Sequence, residues 1–226
     1  MQTRHFMAAG FFAAALASPL AAQGGSMAGM NMDPTKKIVG SGKLPEGWMS
    51  RFDEPGSSLT EIEMMQMGPS LHFRSGPAAI YWNTKDVATG YYTVSATFSQ
   101  KTSMGHEGYG VFIGGSNLPD ATQDYLYFLI RPVDGSFLIN HRAGAKAKAV
   151  VAWTPEAAVN KDAAGTGAAT NAIAIRLAKD SVHFYVNGKE VRTLAKTALD
   201  GAAAQGLFGL RVNHNLDIAV EGFGKK

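Results

Sequence analysis

Tyr91-Tyr-Thr-Val-Ser-Ala-Thr-Phe98 alternates large or apolar side chains with hydroxyl-bearing ones, and Ser181-Val-His-Phe-Tyr-Val-Asn-Gly188 alternates in the same way before ending on an Asn-Gly pair. A period of two puts Tyr92, Val94, Ala96 and Phe98 on one face of a strand, and Val182, Phe184 and Val186 on one face of another. Asn187-Gly188 supplies the positive φ angles of a tight hairpin, and Asp134-Gly135 offers the same chemistry between two further apolar runs. Working outward, short runs rich in Val, Ile, Phe and Tyr alternate with Gly, Pro, Asn and Asp. They predict strands near 47–53, 59–65, 69–74, 77–83, 90–99, 108–114, 123–131, 136–142, 148–153, 171–179, 181–187, 190–194, 206–212 and 215–221. Pro132 closes its strand because it has no ladder donor. Residues 154–159 offer one capped helical turn, and 160–170 form a Gly/Ala loop. The fold class expected is all-β: a two-sheet antiparallel jelly-roll sandwich.

The chain has 226 residues, of which 46% are hydrophobic and 17% charged, a balance that excludes wholesale disorder. Residues 1–22 read as a signal peptide: Arg4 and His5 precede the apolar run Phe6–Ala17, and small residues allow cleavage after Ala17 or, better placed relative to Pro19, after Ala22. The apolar run is too short for a bilayer span, which needs about 20 residues. The expected product is exported, periplasmic or extracellular. Residues 23–44 read as a flexible Met- and Gly-rich tail, and 45–226 as one sandwich domain. The net charge of +3 includes Arg4, and the basic residues are scattered, so no stripe suited to nucleic acid is legible. With no cysteine, disulfides, thiolate metal sites, cysteine nucleophiles and an N-terminal lipidated cysteine are all excluded.

In the second half Tyr109-Gly-Val-Phe-Ile-Gly-Gly115, Asp124-Tyr-Leu-Tyr-Phe-Leu-Ile-Arg131 and Asp134-Gly-Ser-Phe-Leu-Ile-Asn140 are followed by Asn171-Ala-Ile-Ala-Ile-Arg-Leu177. Then come Val182-His-Phe-Tyr-Val-Asn-Gly188, Gly206-Leu-Phe-Gly-Leu-Arg-Val212 and Leu216-Asp-Ile-Ala-Val220. This order resembles the concanavalin A-like lectin/glucanase superfamily, including laminin-G-like modules and the domain described as 3-keto-disaccharide hydrolase. The resemblance spans about residues 45–223. It implies the sandwich, but the superfold hosts lectins, glycosidases and structural modules alike. The glucanase pattern Glu-x-Asp-x-x-Glu does not occur: Glu61-Ile-Glu63 runs on into Met64, Met65 and Gln66. Calcium, which laminin-G-type modules bind, has no legible ligand motif.

Three chemistries compete for the site. Opposite the core-facing Leu126, Phe128 and Ile130 stand Tyr125, Tyr127 and Arg131; by the same alternation Arg176, His183, Tyr185, Arg211 and Asn213 point away from the core. Aromatic faces with Arg, Asn and His donors suit a carbohydrate or similar polar ligand bound without catalysis. They equally suit the wet face of an antiparallel sheet. The second chemistry is Cu(I) binding by Met27, Met30 and Met32, since thioethers are soft ligands. Met64, Met65 and Met67 with His72, or Met104 with His106, are further candidates. The third is glycoside-hydrolase-like acid–base work by His106, Glu107, Asp120 and Asp124, whose geometry the sequence does not fix.

Overall fold

The computed structural model describes residues 38–101, 106–161 and 168–226. These belong to a compact unit spanning Met32–Lys226; a second unit, Met1–Asn31, falls outside the described residues, as do the expected leader and Met27, Met30 and Met32.

Among the described residues fifteen strands run in order: β1 Trp48–Phe52, β2 Ile62–Met67, β3 Ser70–Ser75, β4 Ala79–Asn83, β5 Val87–Ala88, β6 Tyr92–Gln100, β7 Tyr109–Ser116 and β8 Asp124–Arg131. They continue with β9 Ser136–Ala143, β10 Lys146–Pro155, β11 Ala169–Leu177, β12 Ser181–Val186, β13 Lys189–Ala195, β14 Gly206–Val212 and β15 Asp217–Lys225. All pairings are antiparallel. One sheet has the order β1-β4-β14-β7-β8-β9-β10, with β5 beside β14; the other has β13-β12-β11-β6-β15-β3-β2. Here they are called the front and back sheets.

The alternation read in the sequence is the packing observed. Tyr92, Val94, Ala96 and Phe98 of β6 are buried, as are Val182, Phe184 and Val186 of β12, while the residues between them are only partly covered. Three aromatic pairs join the layers: Phe73 with Tyr81 at 4.9 Å, Phe98 with Tyr109 at 5.0 Å, and Phe128 with Phe184 at 5.2 Å between ring centroids. Burying each such ring contributes roughly 1.5–3 kcal/mol, so this dry interior replaces the staples a cysteine-free chain lacks. No helix among the described residues is long and apolar enough to cross a membrane.

Several boundaries differ from expectation. The strand expected at 59–65 starts only at Ile62, because Leu59–Glu61 form a 3-10 turn. Ser58 and Glu61 cap it reciprocally, each side chain bonding the other's backbone end of the turn. Residues 154–159 form no helix: β10 runs on to Pro155, and a single turn follows in which the Val159 N–H donates to the Glu156 carbonyl at 3.1 Å. Residues 38–44, read from the sequence as part of the tail, lie against the sandwich. Ile38 is buried, the Gly40 N–H donates to the Thr60 carbonyl at 2.8 Å, and Leu44 packs on the core. A Cβ at Gly40 would fall 1.6 Å from the Ile62 carbonyl oxygen, so only glycine lets this segment lie so close to β2.

Candidate functional site

Alternation carries Tyr125, Tyr127, Leu129 and Arg131 of β8 to the outer face of the front sheet, away from the inter-sheet core. There they meet a second apolar layer: Ile80 and Trp82 from β4, Phe112 from β7, Leu138 from β9, and Leu118 from the β7–β8 loop. The Phe112 ring packs tilted against Tyr125, 5.2 Å between centroids, and Tyr125 lies 5.6 Å from Tyr127. Gly209 of β14 makes room for this layer, since a Cβ there would stand 2.4 Å from the Phe112 ring. Tyr125 is consequently fully buried and Tyr127 is 4% exposed. Tyr125 is thus part of the floor beneath the site and does not present a stacking surface.

On that floor sits a charged cluster. Arg211, itself 4% exposed, is carried between β4 and β7 by β14. Both its terminal nitrogens donate to the Asp53 carboxylate, and Nη1 also donates to the Tyr125 hydroxyl at 3.3 Å. Its guanidinium lies 5.0 Å from the centre of the Tyr127 ring. Arg142 of β9 reaches the same carboxylate, Nη2 to Oδ1 at 2.9 Å. Asn140, two residues before it, donates from Nδ2 to the Tyr127 hydroxyl at 2.8 Å. Burial alone would raise the Asp53 carboxyl. The hydrogen bonds and charge of Arg211, then the charge of Arg142, outweigh burial and hold it below the usual carboxylate range. At one end of the face the Arg131 guanidinium lies 4.2 Å over the Trp153 ring and pairs with Asp134.

Four buried polar atoms of this face have no hydrogen-bond partner, Nε of Arg51, Arg142 and Arg211 and Oδ1 of Asn140, and Oδ1 of Asn213, just past β14, has none either. The side chain of Asp53 is 25% exposed and that of Arg142 is 11% exposed, so the upper rim of the cluster meets solvent.

The eight residues expected to share one ligand divide between opposite faces of the sandwich. Tyr125, Tyr127, Arg131 and Arg211 are on the front sheet, with Asn213 just past the end of β14, whereas Arg176, His183 and Tyr185 are on the outer face of the back sheet. Side-chain alternation tells which way a residue points from its strand but not which sheet the strand joins. On the back sheet a groove of about 500 Å³ is lined by Thr93, Ser95, Thr97, Ala174, Arg176 and Tyr185. Beside it, Ser181 Oγ is 2.9 Å from His183 Nε2, and His183 Nδ1 is 3.0 Å from the Glu190 carboxylate, which Tyr185 also bonds at 2.9 Å. Hydrogen bonds from Thr193, Tyr185 and His183 push the Glu190 carboxyl down to about 2. The order Ser-His-Glu is that of a proton relay. It lies open to water on the sheet, however, and lacks the water-excluded surroundings that make oxyanion stabilisation effective.

The other candidates disperse. Among the described residues no group of three or more His, Asp or Glu is placed to hold a metal ion. Met64 is in the core, Met65 and Met67 face solvent, and His72 is engaged by Asp217 at 2.6 Å. Met104 lies outside the described residues. Glu107 stands 3.5 Å from His214 and Asp124 stands 3.0 Å from His141, so these two carboxylates each have a histidine partner and do not face one another as an acid–base pair.

No protein-family model matches the chain, and no curated protein matches it in sequence. Solved structures do match. The carbohydrate binding module CBM66 from Bacillus subtilis aligns over 84% of this chain and 99% of its own, with a TM-score of 0.59 and 12% identity. A protein of unknown function with galectin-like fold, also from Bacillus subtilis, aligns over 79% of this chain and 88% of its own, with a TM-score of 0.53 and 12% identity. The metal-free carbohydrate recognition domain of Emp46p aligns over 79% of this chain and 87% of its own, at 0.53 and 10%. The fold is a two-sheet antiparallel jelly-roll sandwich. In this jelly roll the front and back sheets are its two layers, and at 10–12% identity the likeness is one of fold.

Proposed function

We propose that the chain is an exported, non-catalytic carbohydrate-binding module whose ligand seats on the outer face of the front sheet, against Asn140, Arg142, Asp53, Tyr127 and Trp153. One observation carries this: an ion-paired Asp53–Arg142–Arg211 cluster, part-exposed at its rim, with Asn140 bonded to Tyr127 beside it, all on an aromatic floor. Sugars need fixed polar groups beside an apolar surface, and here the polar groups are held in place before any ligand arrives. The solved relatives in fold that are named as carbohydrate-binding support the ligand class. Export rests on the leader read in residues 1–22.

Non-catalytic binding is favoured by the state of Asp53. A glycosidic acid needs a raised pKa and a second carboxylate nearby, whereas Asp53 is depressed and its near neighbours are guanidiniums. The test is a glycan array followed by calorimetry on the full chain. Asn140→Ala and Trp153→Ala are expected to weaken the best ligand about tenfold or more, about 1.4 kcal/mol or above. Unchanged affinity in both, or loss only on Tyr185→Ala of the back sheet, contradicts the assignment.

A further inference from the structure

We infer that the ligand of the front face carries a carboxylate, so that its class is a uronic-acid-containing saccharide. The inference rests on the reading of that face as the binding site and narrows it. It follows from a count of what the face leaves unmet. Three arginines, Arg51, Arg142 and Arg211, stand there, and the one carboxylate bonded to the latter two is Asp53. Arg51 donates to the Pro119 carbonyl, a neutral acceptor. Elsewhere Arg131 pairs with Asp134, and His214 stands 3.5 Å from Glu107. Asp53 already accepts three guanidinium bonds, two from Arg211 and one from Arg142. A carboxylate has about four lone-pair sites, so it has little left to give.

Two guanidiniums thus share one carboxylate, and the side chains of Arg142 and Arg211 are only 11% and 5% exposed; the buried excess is positive, a costly state unless an anion offsets it. The unpartnered polar atoms lie beneath that surface and supply no compensating negative charge. Nε–H of Arg51, Arg142 and Arg211 are donors without acceptors, while Oδ1 of Asn140 and of Asn213 are acceptors without donors. A neutral sugar brings hydroxyls but leaves the charge unmatched. A sugar acid brings hydroxyls and the counter-charge together. Asn140 and Arg142 are two residues apart on β9, hence roughly 7 Å apart along one face of the strand. That spacing suits one sugar ring whose hydroxyl edge meets Asn140 while its exocyclic carboxylate meets Arg142. Planar guanidinium groups also match a carboxylate with two parallel hydrogen bonds.

The experiment is calorimetry of the full chain with an oligouronate, the same oligosaccharide after chemical reduction of its carboxyls, and a sulfated neutral oligosaccharide of equal length. The acid form is expected to bind about tenfold or more tighter than its reduced form, with affinity falling as salt rises, and Arg142→Gln is expected to remove that preference. Because the reduced ligand is tested on unaltered protein, the outcome stands even if Arg142→Gln fails to fold. Equal or tighter binding of the reduced form overturns the inference and leaves the carbohydrate reading intact. The sulfated sugar matching the uronate overturns the carboxylate assignment. Binding of none of the three, with no array signal, overturns both the inference and the reading beneath it.

Discussion

Asp53 holds two guanidiniums on one carboxylate beneath the rim of the front face, which makes it the residue with most to lose on substitution. Asp53→Asn leaves Arg211 and Arg142 without a counter-charge. The expected loss of stability at neutral pH is on the order of 3 kcal/mol, measured by denaturant unfolding. The sign of its pH dependence follows from its depressed pKa. A carboxyl lower in the folded than in the unfolded chain stabilises the fold fully above the unfolded value near about 4. That contribution is lost as pH falls through the folded value. Wild-type stability is therefore expected to decline below about pH 4 more steeply than that of Asp53→Asn; parallel curves would contradict it. Trp82, 1% exposed on the far side of the front sheet from the core, tests the second apolar layer. Trp82→Ala is expected to cost about 3–5 kcal/mol, whereas a wet sheet face would lose well under 1.

At the scale of elements, Asn187 does more than turn a hairpin. Its φ is +50°, its Oδ1 accepts from the Ala172 N–H at 2.8 Å, and its Nδ2 donates to the Ala158 carbonyl at 2.7 Å and to Asn171 Oδ1 at 2.8 Å. The fully buried Asn171 is completed by Asn160, whose N–H donates to the same Oδ1 at 2.7 Å. One turn residue thus ties β11, β12 and the loop after β10 together. Asn187→Ala is expected to destabilise by about 2 kcal/mol, and Asn187→Gly, which keeps the turn but not the bonds, by about half of that. Equal effects would assign the whole loss to the missing side-chain hydrogen bonds, and no loss in Asn187→Gly would assign it to backbone strain.

The same scale shows what the sequence could tell. β6 and β12 were legible because polar and apolar residues alternate cleanly along them. β8 was legible as a strand, but its two sides were not read fully: Tyr125, Tyr127 and Leu129 are apolar as well as Leu126, Phe128 and Ile130. Such a near-continuous apolar run marks a strand covered on both faces, which is why Tyr125 is buried. The Ser58-x-x-Glu61 cap was also present to be read. The partners of β14 and β15 were not, because pairing across most of the chain leaves no local period. The charged cluster escaped for the same reason: Asp53, Arg142 and Arg211 come from three distant strands or strand ends.

For the molecule as a whole, chain order and spatial order are far apart. The last strand, β15, lies between β6 and β3 in the middle of the back sheet, and β14 lies between β4 and β7 in the front sheet. Both sheets therefore need the C-terminal segment to close. Deleting residues 217–226 is expected to abolish cooperative unfolding and the near-ultraviolet aromatic signal; a truncated chain that keeps both would contradict this topology. The two outer faces point in opposite directions, so one ligand engages the front sheet or the back sheet but not both. Hydrogen exchange on the full chain, with and without a saturating saccharide found on the array, separates them most directly. Slowed exchange centred on 124–131 and 136–143 is the predicted result, while protection confined to 92–100, 169–177 and 181–195 would contradict the assignment of the ligand to the front sheet.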